Sequence, residues 1–146
     1  MKKQSPELQK LNPLVGKWMS EGEVRATGTT PAMKIKGTDI YEWVCEGKFL
    51  LHRVDVMMGE EKVEVIEMIG YDADAKNYPM RSFDNQGNFN TMHFTVDEKG
   101  VWKITGDLMR STLTINKDGS HMNAHWEQSE DGSTWKPWME MKFTKA

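Results

Sequence analysis

The spacing of the histidines and of the cysteine shows whether this sequence contains a motif for binding a metal ion. His121 and His125 lie four residues apart, which on a helix would let both side chains reach one metal ion. The sequence around them alternates as a strand does, and there the same spacing separates them by about 13 Å at about 3.3 Å per residue. Cys45 is the only cysteine, so no zinc motif is present. We therefore predict no metal site, no catalytic residue set and no cofactor.

Two polar residues stand on otherwise apolar strand faces. Asp39 shares its face with Tyr41, because side chains alternate with period two. His52 shares its face with four apolar residues, Leu50, Val54, Val56 and Met58. Such a histidine is either a core residue satisfied by its neighbours or the polar anchor of a binding site, and the sequence leaves both open. A register shifted by one residue would instead turn Arg53 and Asp55 inward.

Short strands must position these side chains. Alternating segments closed by turns such as Asp84–Gly87 and Lys117–Gly119 recur from Gly16 to Phe143. The predicted strands span 16–26, 32–44, 48–58, 62–71, 78–84, 88–96, 100–106, 108–116, 120–128 and 135–144. Strands at this spacing, with no helix between them, predict an all-β fold, a single antiparallel up-and-down β-barrel of about ten strands that hides its edges by closing.

One helical segment precedes the barrel. Ser5 is a candidate N-cap and Pro6 suits the first helical position, while Pro13 limits the helix to a turn or two. We expect the leucines of this segment to plug one end of the barrel: Leu8, Leu11 and Leu14. The whole chain, 1–146, is predicted to be one domain.

A barrel of this size has an interior that can hold a ligand. Methionine is flexible and polarizable, and aromatic walls with a few polar groups are typical of small-molecule sites. The candidate ligand-binding residues are Asp39, Tyr41, Trp43, His52, Met122, Trp126, Met139 and Met141. The alternative is that these side chains fill the barrel solidly. The facing of the third to sixth strands also stays open.

Composition excludes several classes of partner. Net charge is −3 with acidic and basic residues interspersed, which argues against a nucleic-acid partner. No stretch approaches the roughly 20 apolar residues of a membrane span. Residues 1–7 lack the apolar run of a secretory signal, and one cysteine suits a reducing compartment, so we expect a cytoplasmic protein. The sequence makes no prediction of oligomeric state.

Four short segments carry a resemblance to a known family: Leu11–Trp18, Glu42-Trp43 with Gly47–Leu50, Gly70–Asp72 and Asp131–Trp135. Gly16-Lys17-Trp18 after a short helical lead resembles the opening of lipocalin-like and fatty-acid-binding barrels. In this order, the segments resemble a bacterial family of lipocalin-like domains of unknown function. The resemblance implies a calycin-type barrel and supplies no reaction and no catalytic residue.

The leading functional hypothesis is therefore non-catalytic binding of a small, mostly apolar ligand inside the barrel. An enzyme on the same barrel, using Asp39, His52 or Glu67 as an acid or base, is the first alternative. On balance we expect a binding protein.

A haem- or nitric-oxide-binding barrel is the second alternative. Another family of such barrels opens with Gly-x-Trp-x-Gly-x-Gly, of which Gly16, Trp18 and Gly22 match while Ser20 replaces the middle glycine. The late histidine that such a protein needs could only be His121 or His125, and both are predicted to face outward.

Overall fold

The computed structural model of the protein describes residues 4–146, so Met1–Lys3, part of the segment searched for a leader, lie outside the described residues. Ten antiparallel strands form a closed barrel in which each strand pairs with its neighbours in sequence and β1 pairs with β10. The strands are β1 Gly16–Val24, β2 Met33–Val44, β3 Phe49–Met58, β4 Glu61–Ile69, β5 Tyr78–Asp84, β6 Phe89–Val96, β7 Trp102–Thr105, β8 Met109–Ile115, β9 His121–Gln128 and β10 Lys136–Lys145. The predicted fold class is confirmed, and every predicted strand is present to within two residues at each end.

Side chains alternate between the barrel interior and solvent along each strand. In β1, Trp18, Ser20 and Val24 are buried while Lys17 and Glu21 are exposed, as the sequence predicts. The third strand, left open by the sequence, turns its apolar face inward, with Leu50 and Val56 buried and Arg53 and Asp55 exposed. The register that would bring Arg53 and Asp55 inside is therefore wrong.

The N-terminal segment closes one end of the barrel. A short helix α1, Pro6–Gln9, is capped by the Ser5 side chain, and a 3₁₀ turn, Asn12–Leu14, accommodates Pro13. Its leucines enter the core as predicted, with Leu11 and Leu14 fully buried and Leu8 nearly so. No helix in residues 4–146 has the length and apolar character needed to cross a membrane.

Three aromatic side chains of the barrel donate hydrogen bonds to that N-terminal segment. Trp18 Nε1 donates to the carbonyl of Leu14 at 2.8 Å, and the Tyr78 hydroxyl donates to the carbonyl of Glu7 at 2.6 Å. Trp43 Nε1 donates to the Asn12 side chain at 2.9 Å. Because these aromatics begin β1 and β5 and lie near the end of β2, they mark the same end of the barrel, which we call the closed end.

The other end, the open end, carries the β1–β2, β3–β4, β5–β6, β7–β8 and β9–β10 turns. Here several inward-facing side chains are half-buried, although Val24, Ile35 and Val56 of the same half are buried. The half-buried side chains include Met33, Val54, Met58, Val63, Met109, Trp126 and Met139. Solvent therefore reaches the inner face of the barrel from this end.

Candidate functional site

Three neighbouring strands bring a histidine between two carboxylates on the inner face. The β2–β3 register places Tyr41 opposite His52, and the β3–β4 register places His52 opposite Glu67. Asp39 lies two residues before Tyr41 on β2 and therefore shares its inward face. We refer to Asp39, His52 and Glu67 as the acid–histidine cluster.

The hydrogen bonds of the cluster are short and buried. His52 Nε2 lies 2.6 Å from Asp39 Oδ2, and His52 Nδ1 lies 3.0 Å from Glu67 Oε1. The exposed fraction of the side chain is 12% for His52, 7% for Asp39 and 6% for Glu67. Ser20, buried on β1, donates from Oγ to the other Asp39 oxygen, Oδ1, at 2.5 Å.

This geometry favours a protonated histidine. Both nitrogens of His52 face carboxyl oxygens, and a doubly protonated ring can donate to both, whereas a neutral imidazole carries a proton on one nitrogen only. Burial by itself would lower the pKa of His52, but the hydrogen bonds and charges of Asp39 and Glu67 outweigh burial and raise it to about 9. His52 is therefore an imidazolium at neutral pH.

Tyr41 completes the cluster from β2. Its ring stacks on the His52 imidazole with centroids 4.0 Å apart and planes within 9°. Burial, together with the negative charges of Asp39 and Glu67, raises the pKa of the Tyr41 hydroxyl well above its ordinary value of 10.0. Tyr41 therefore remains neutral and covers one face of the imidazolium.

The cluster carries more negative than positive charge. Two carboxylates surround one imidazolium, and every lysine and arginine in residues 4–146 is exposed. Among the described residues, no protein donor bonds to Glu67 Oε2, and this oxygen is not one of their fully buried unpaired atoms. The cluster thus holds two acidic groups against one basic group, with an accessible carboxylate oxygen left to accept a further hydrogen bond.

Trp126, Met139 and Met141 lie together on β9 and β10. Trp126 pairs with Met139 across the two strands, and its ring meets Trp138 edge to face with centroids 6.1 Å apart. Trp126 and Met139 are half-buried at the open end, while Met141 is buried one step deeper. These three predicted site residues form an apolar wall on strands other than those of the cluster.

Two predicted site residues lie elsewhere. Trp43 faces inward at the closed end, where its indole N–H holds Asn12. Met122 is almost fully buried on β9, opposite Phe143 of β10. The structure therefore brings Asp39, Tyr41 and His52 together and does not bring Trp43 or Met122 to them.

Three inward-facing polar residues escaped the predicted site list. Glu67 entered the sequence analysis only as a possible acid or base, although its face of β4, with Val63, Val65 and Ile69, is otherwise apolar. Ser20 lies on the inward face of β1, but nothing in the sequence pairs it with Asp39. Ser111 is buried on β8, and its Oγ has no hydrogen-bond partner within residues 4–146. In the sequence, a single polar residue on a largely apolar strand face was the pattern that could have identified these residues.

The other histidines lie on the outer surface. His93 and His121 are exposed, and His125 is hydrogen-bonded to Glu140 of β10 on the outer face. His121 Nδ1 lies 2.8 Å from Ser120 Oγ. Within residues 4–146 no group of three or more histidine, cysteine and acidic side chains is arranged to hold a metal ion. In the acid–histidine cluster the ring nitrogens point at the carboxylates, so the donors do not converge on a common point.

Two surface clefts lie outside the barrel. One, of about 530 Å³, lies among the β6–β7 and β8–β9 turns and the N-terminal segment at the closed end. The other, of about 550 Å³, lies against β1, β2 and β10 and is bordered by outward-facing charged side chains such as Glu21 and Lys36. Neither cleft includes a residue of the acid–histidine cluster, whose three side chains are nearly buried on the inner face.

Solved structures share this architecture at low sequence identity. A crystal structure of Rv2717c from M. tuberculosis matches with a TM-score of 0.70 and 12% identity, covering 99% of each chain. The S-type phycobiliprotein lyase CPES from Guillardia theta matches with a TM-score of 0.56 and 9% identity, over 94% of this chain and 91% of the lyase. At these identities the likeness concerns the fold, a lipocalin-like barrel.

Sequence comparison gives the family. No curated protein matches the chain. A family model described as a protein of unknown function, DUF1579, matches residues 3–145, which is nearly the whole length. The resemblance found in the sequence segments is thereby confirmed, and the chain belongs to the DUF1579 family.

Proposed function

We propose that this protein binds a small, mostly apolar ligand inside the barrel without transforming it, and that the ligand enters at the open end. The observation that carries this proposal is the acid–histidine cluster, which is buried yet lies on the same inner face as apolar side chains that solvent reaches. A concave apolar surface with a few convergent polar groups is the usual form of a small-molecule site. The low-identity likeness to a phycobiliprotein lyase adds only the fold.

Ser111 supports an interior site independently. It faces inward on β8, which in the strand order lies five steps from β3 in either direction, so β8 is the strand opposite the one that carries His52. A buried hydroxyl is nearly always hydrogen-bonded, because leaving it unpaired costs about 1–3 kcal/mol. Ser111 Oγ has no partner among the described residues and is available to a bound molecule.

An enzyme using the cluster as acid and base is the second candidate, because the three residues named for it do meet. The geometry favours it less than binding. His52 holds its proton at neutral pH and directs both N–H groups at carboxylates, so it has no free lone pair with which to act as a base. Ser20 donates to Asp39 rather than to His52, so it is not activated as a nucleophile.

A haem-binding function receives no support from the histidines of this chain. His121 and His125 point away from the interior, and both nitrogens of His52 are engaged. We also propose that binding takes place in the cytoplasm, where the exposed thiol of Cys45 would stay reduced, and that nucleic acid is not a partner.

Binding of a neutral environment-sensitive dye, Nile red, tests the interior site. We expect the native protein to bind the dye with a blue shift and saturation at one equivalent. Val54 faces inward beside His52 and is half-buried, whereas Met57 lies on the outer face of the same strand. Val54→Phe should therefore weaken dye binding at least tenfold, while the control Met57→Phe should leave it unchanged. Equal effects of the two substitutions, or no dye binding by the native protein, would overturn the proposal.

A further inference from the structure

The charge balance of the interior restricts the ligand beyond its being apolar. Asp39 faces the interior from β2 and Glu67 from β4, with the single cation His52 between them on β3. Tyr41, the remaining titratable group packed against this cluster, is neutral. Lys145 lies on the inward face of β10 at the closed end, with its ammonium 4.5 Å from the centroid of the Trp18 ring and donating to the Val15 carbonyl. Within residues 4–146, the ion-pair partner of Asp39 and of Glu67 is His52 rather than a lysine or arginine.

An uncompensated buried charge is unfavourable, because desolvation of an ion is offset only by an opposite charge and by hydrogen bonds. In the acid–histidine cluster, Asp39 is well satisfied, since one oxygen accepts from Ser20 and the other from His52. Glu67 accepts one bond, from His52 at Oε1. Its Oε2 accepts none from the described residues and is not among their fully buried unpaired atoms, so it is open to solvent or to a ligand. The excess negative charge is therefore least compensated at Glu67.

The position of Glu67 on β4 also favours its Oε2 as the atom that a ligand would contact. Along β4, Glu67 is followed toward the open end by Val65 and Val63, which face inward and are half-buried. A molecule entering at the open end would pass these apolar side chains before reaching the carboxylate. Across the sheet, Glu67 lies opposite Ser82, which is half-buried.

We propose, resting on the binding function above, that the ligand is an apolar molecule bearing a protonated amine, with the amine bound by Glu67 and the apolar body against the half-buried side chains of the open end. The ammonium group supplies the missing positive charge and donates to Oε2, a charge-assisted hydrogen bond. An anionic ligand of the same shape would add a second unpaired negative charge to the interior and would be excluded.

Three ligands of matched shape test this proposal: decylamine, decanol and decanoate, each titrated calorimetrically at pH 7 below its micelle concentration. We expect decylamine to bind at least tenfold more tightly than decanol, and decanoate to bind most weakly. Decanol or decanoate binding as tightly as decylamine would overturn the amine assignment while leaving the binding function intact. Failure of all three ligands and of Nile red would instead count against the binding function itself.

A matched pair of variants locates the charge. Glu67→Gln removes the interior carboxylate, and Glu64→Gln removes an exposed one from the same strand with the same change in net charge. Glu67→Gln should reduce the preference for decylamine over decanol to threefold or less, and Glu64→Gln should leave it at tenfold or more. A preference retained in Glu67→Gln would overturn the role of Glu67, and the three-ligand comparison on the native protein decides the amine class even where this variant fails to fold.

Discussion

The closed and open ends of the barrel have the same strand alternation but differ in what covers their inward-facing side chains. At the closed end, Trp18, Leu50 and Ile69 are fully buried beneath the N-terminal segment. At the open end, Val63 and Met139 face inward just as regularly yet remain half-buried, and the β1–β2 connection, residues 25–32, is exposed throughout.

This difference teaches that an inward-facing pattern alone does not make a packed core. The closed end gains its cover from leucines outside the strands and from three aromatic N–H and O–H groups that hold that segment in place. The open end has no such cover, and the acid–histidine cluster lies where the two regions meet. We infer that the closed end supplies most of the stability and the open end most of the binding surface.

Truncating one apolar side chain at each end gives the largest expected effect. Leu14 is fully buried at the closed end, so Leu14→Ala should lower the free energy of unfolding by about 3 kcal/mol, as expected for a cavity in a packed core. Met139→Ala, at the half-buried open end, should cost about 1 kcal/mol and weaken Nile red binding instead. Urea unfolding with a parallel dye titration measures both. Equal losses of stability would remove the distinction between the ends.

The acid–histidine cluster gives the protein a pH-dependent stability. The pKa of His52 is about 9 in the folded protein against 6.5 in the unfolded chain, so the folded state binds this proton more tightly. Its contribution is complete below pH 6.5 and is lost as pH rises toward 9, at no more than about 1.4 kcal/mol per pH unit. Asp39 and Glu67 are the facing charges, and Tyr41 stays neutral in this range. Urea unfolding at several pH values measures the slope.

Nuclear magnetic resonance of the His52 ring measures the pKa of His52 in the folded protein independently of stability. Its proton shifts should change with a midpoint near pH 9 in the folded protein. A midpoint near 6.5 would mean that His52 is not held as a cation between two carboxylates, and the charge argument for the interior would fail.

The sequence predicted the strands and the facing of individual residues well, because alternation is a local signal. Asp39 and Tyr41 were placed inside from the second strand, and the structure agrees, whereas the facing of the third strand, which carries His52, was left open. The bond between His52 and Glu67 is different, since it depends on the register of the β3–β4 hairpin, and a shift of one residue would turn one of them outward. Register was not readable from either strand alone.

The sequence also predicted the difference between the closed and open ends only in part. The plugging leucines could be predicted from their spacing and from Pro13, but the aromatics that hold the plug come from β1, β2 and β5, and their partners are set by the closed barrel. Trp43 was accordingly assigned to the ligand site although its indole N–H is used at the closed end. A residue type and a face are local properties, whereas the partner of a side chain is a property of the fold.

Two buried serines give the smallest expected effect and the sharpest control. Ser20 and Ser111 both face the interior and are almost equally buried, but Ser20 donates to Asp39 while Ser111 Oγ has no described partner. Ser20→Ala should therefore lower the free energy of unfolding by about 1.5 kcal/mol, since Asp39 loses a donor in a buried site. Ser111→Ala should leave stability unchanged or raise it by up to about 1 kcal/mol, since the alanine removes a buried group that was unpaired. Urea unfolding of both variants at pH 7 measures the difference. A loss in Ser111→Ala equal to that in Ser20→Ala would mean that the Ser111 hydroxyl is already satisfied in the ligand-free protein, and its availability to a bound molecule would have to be abandoned.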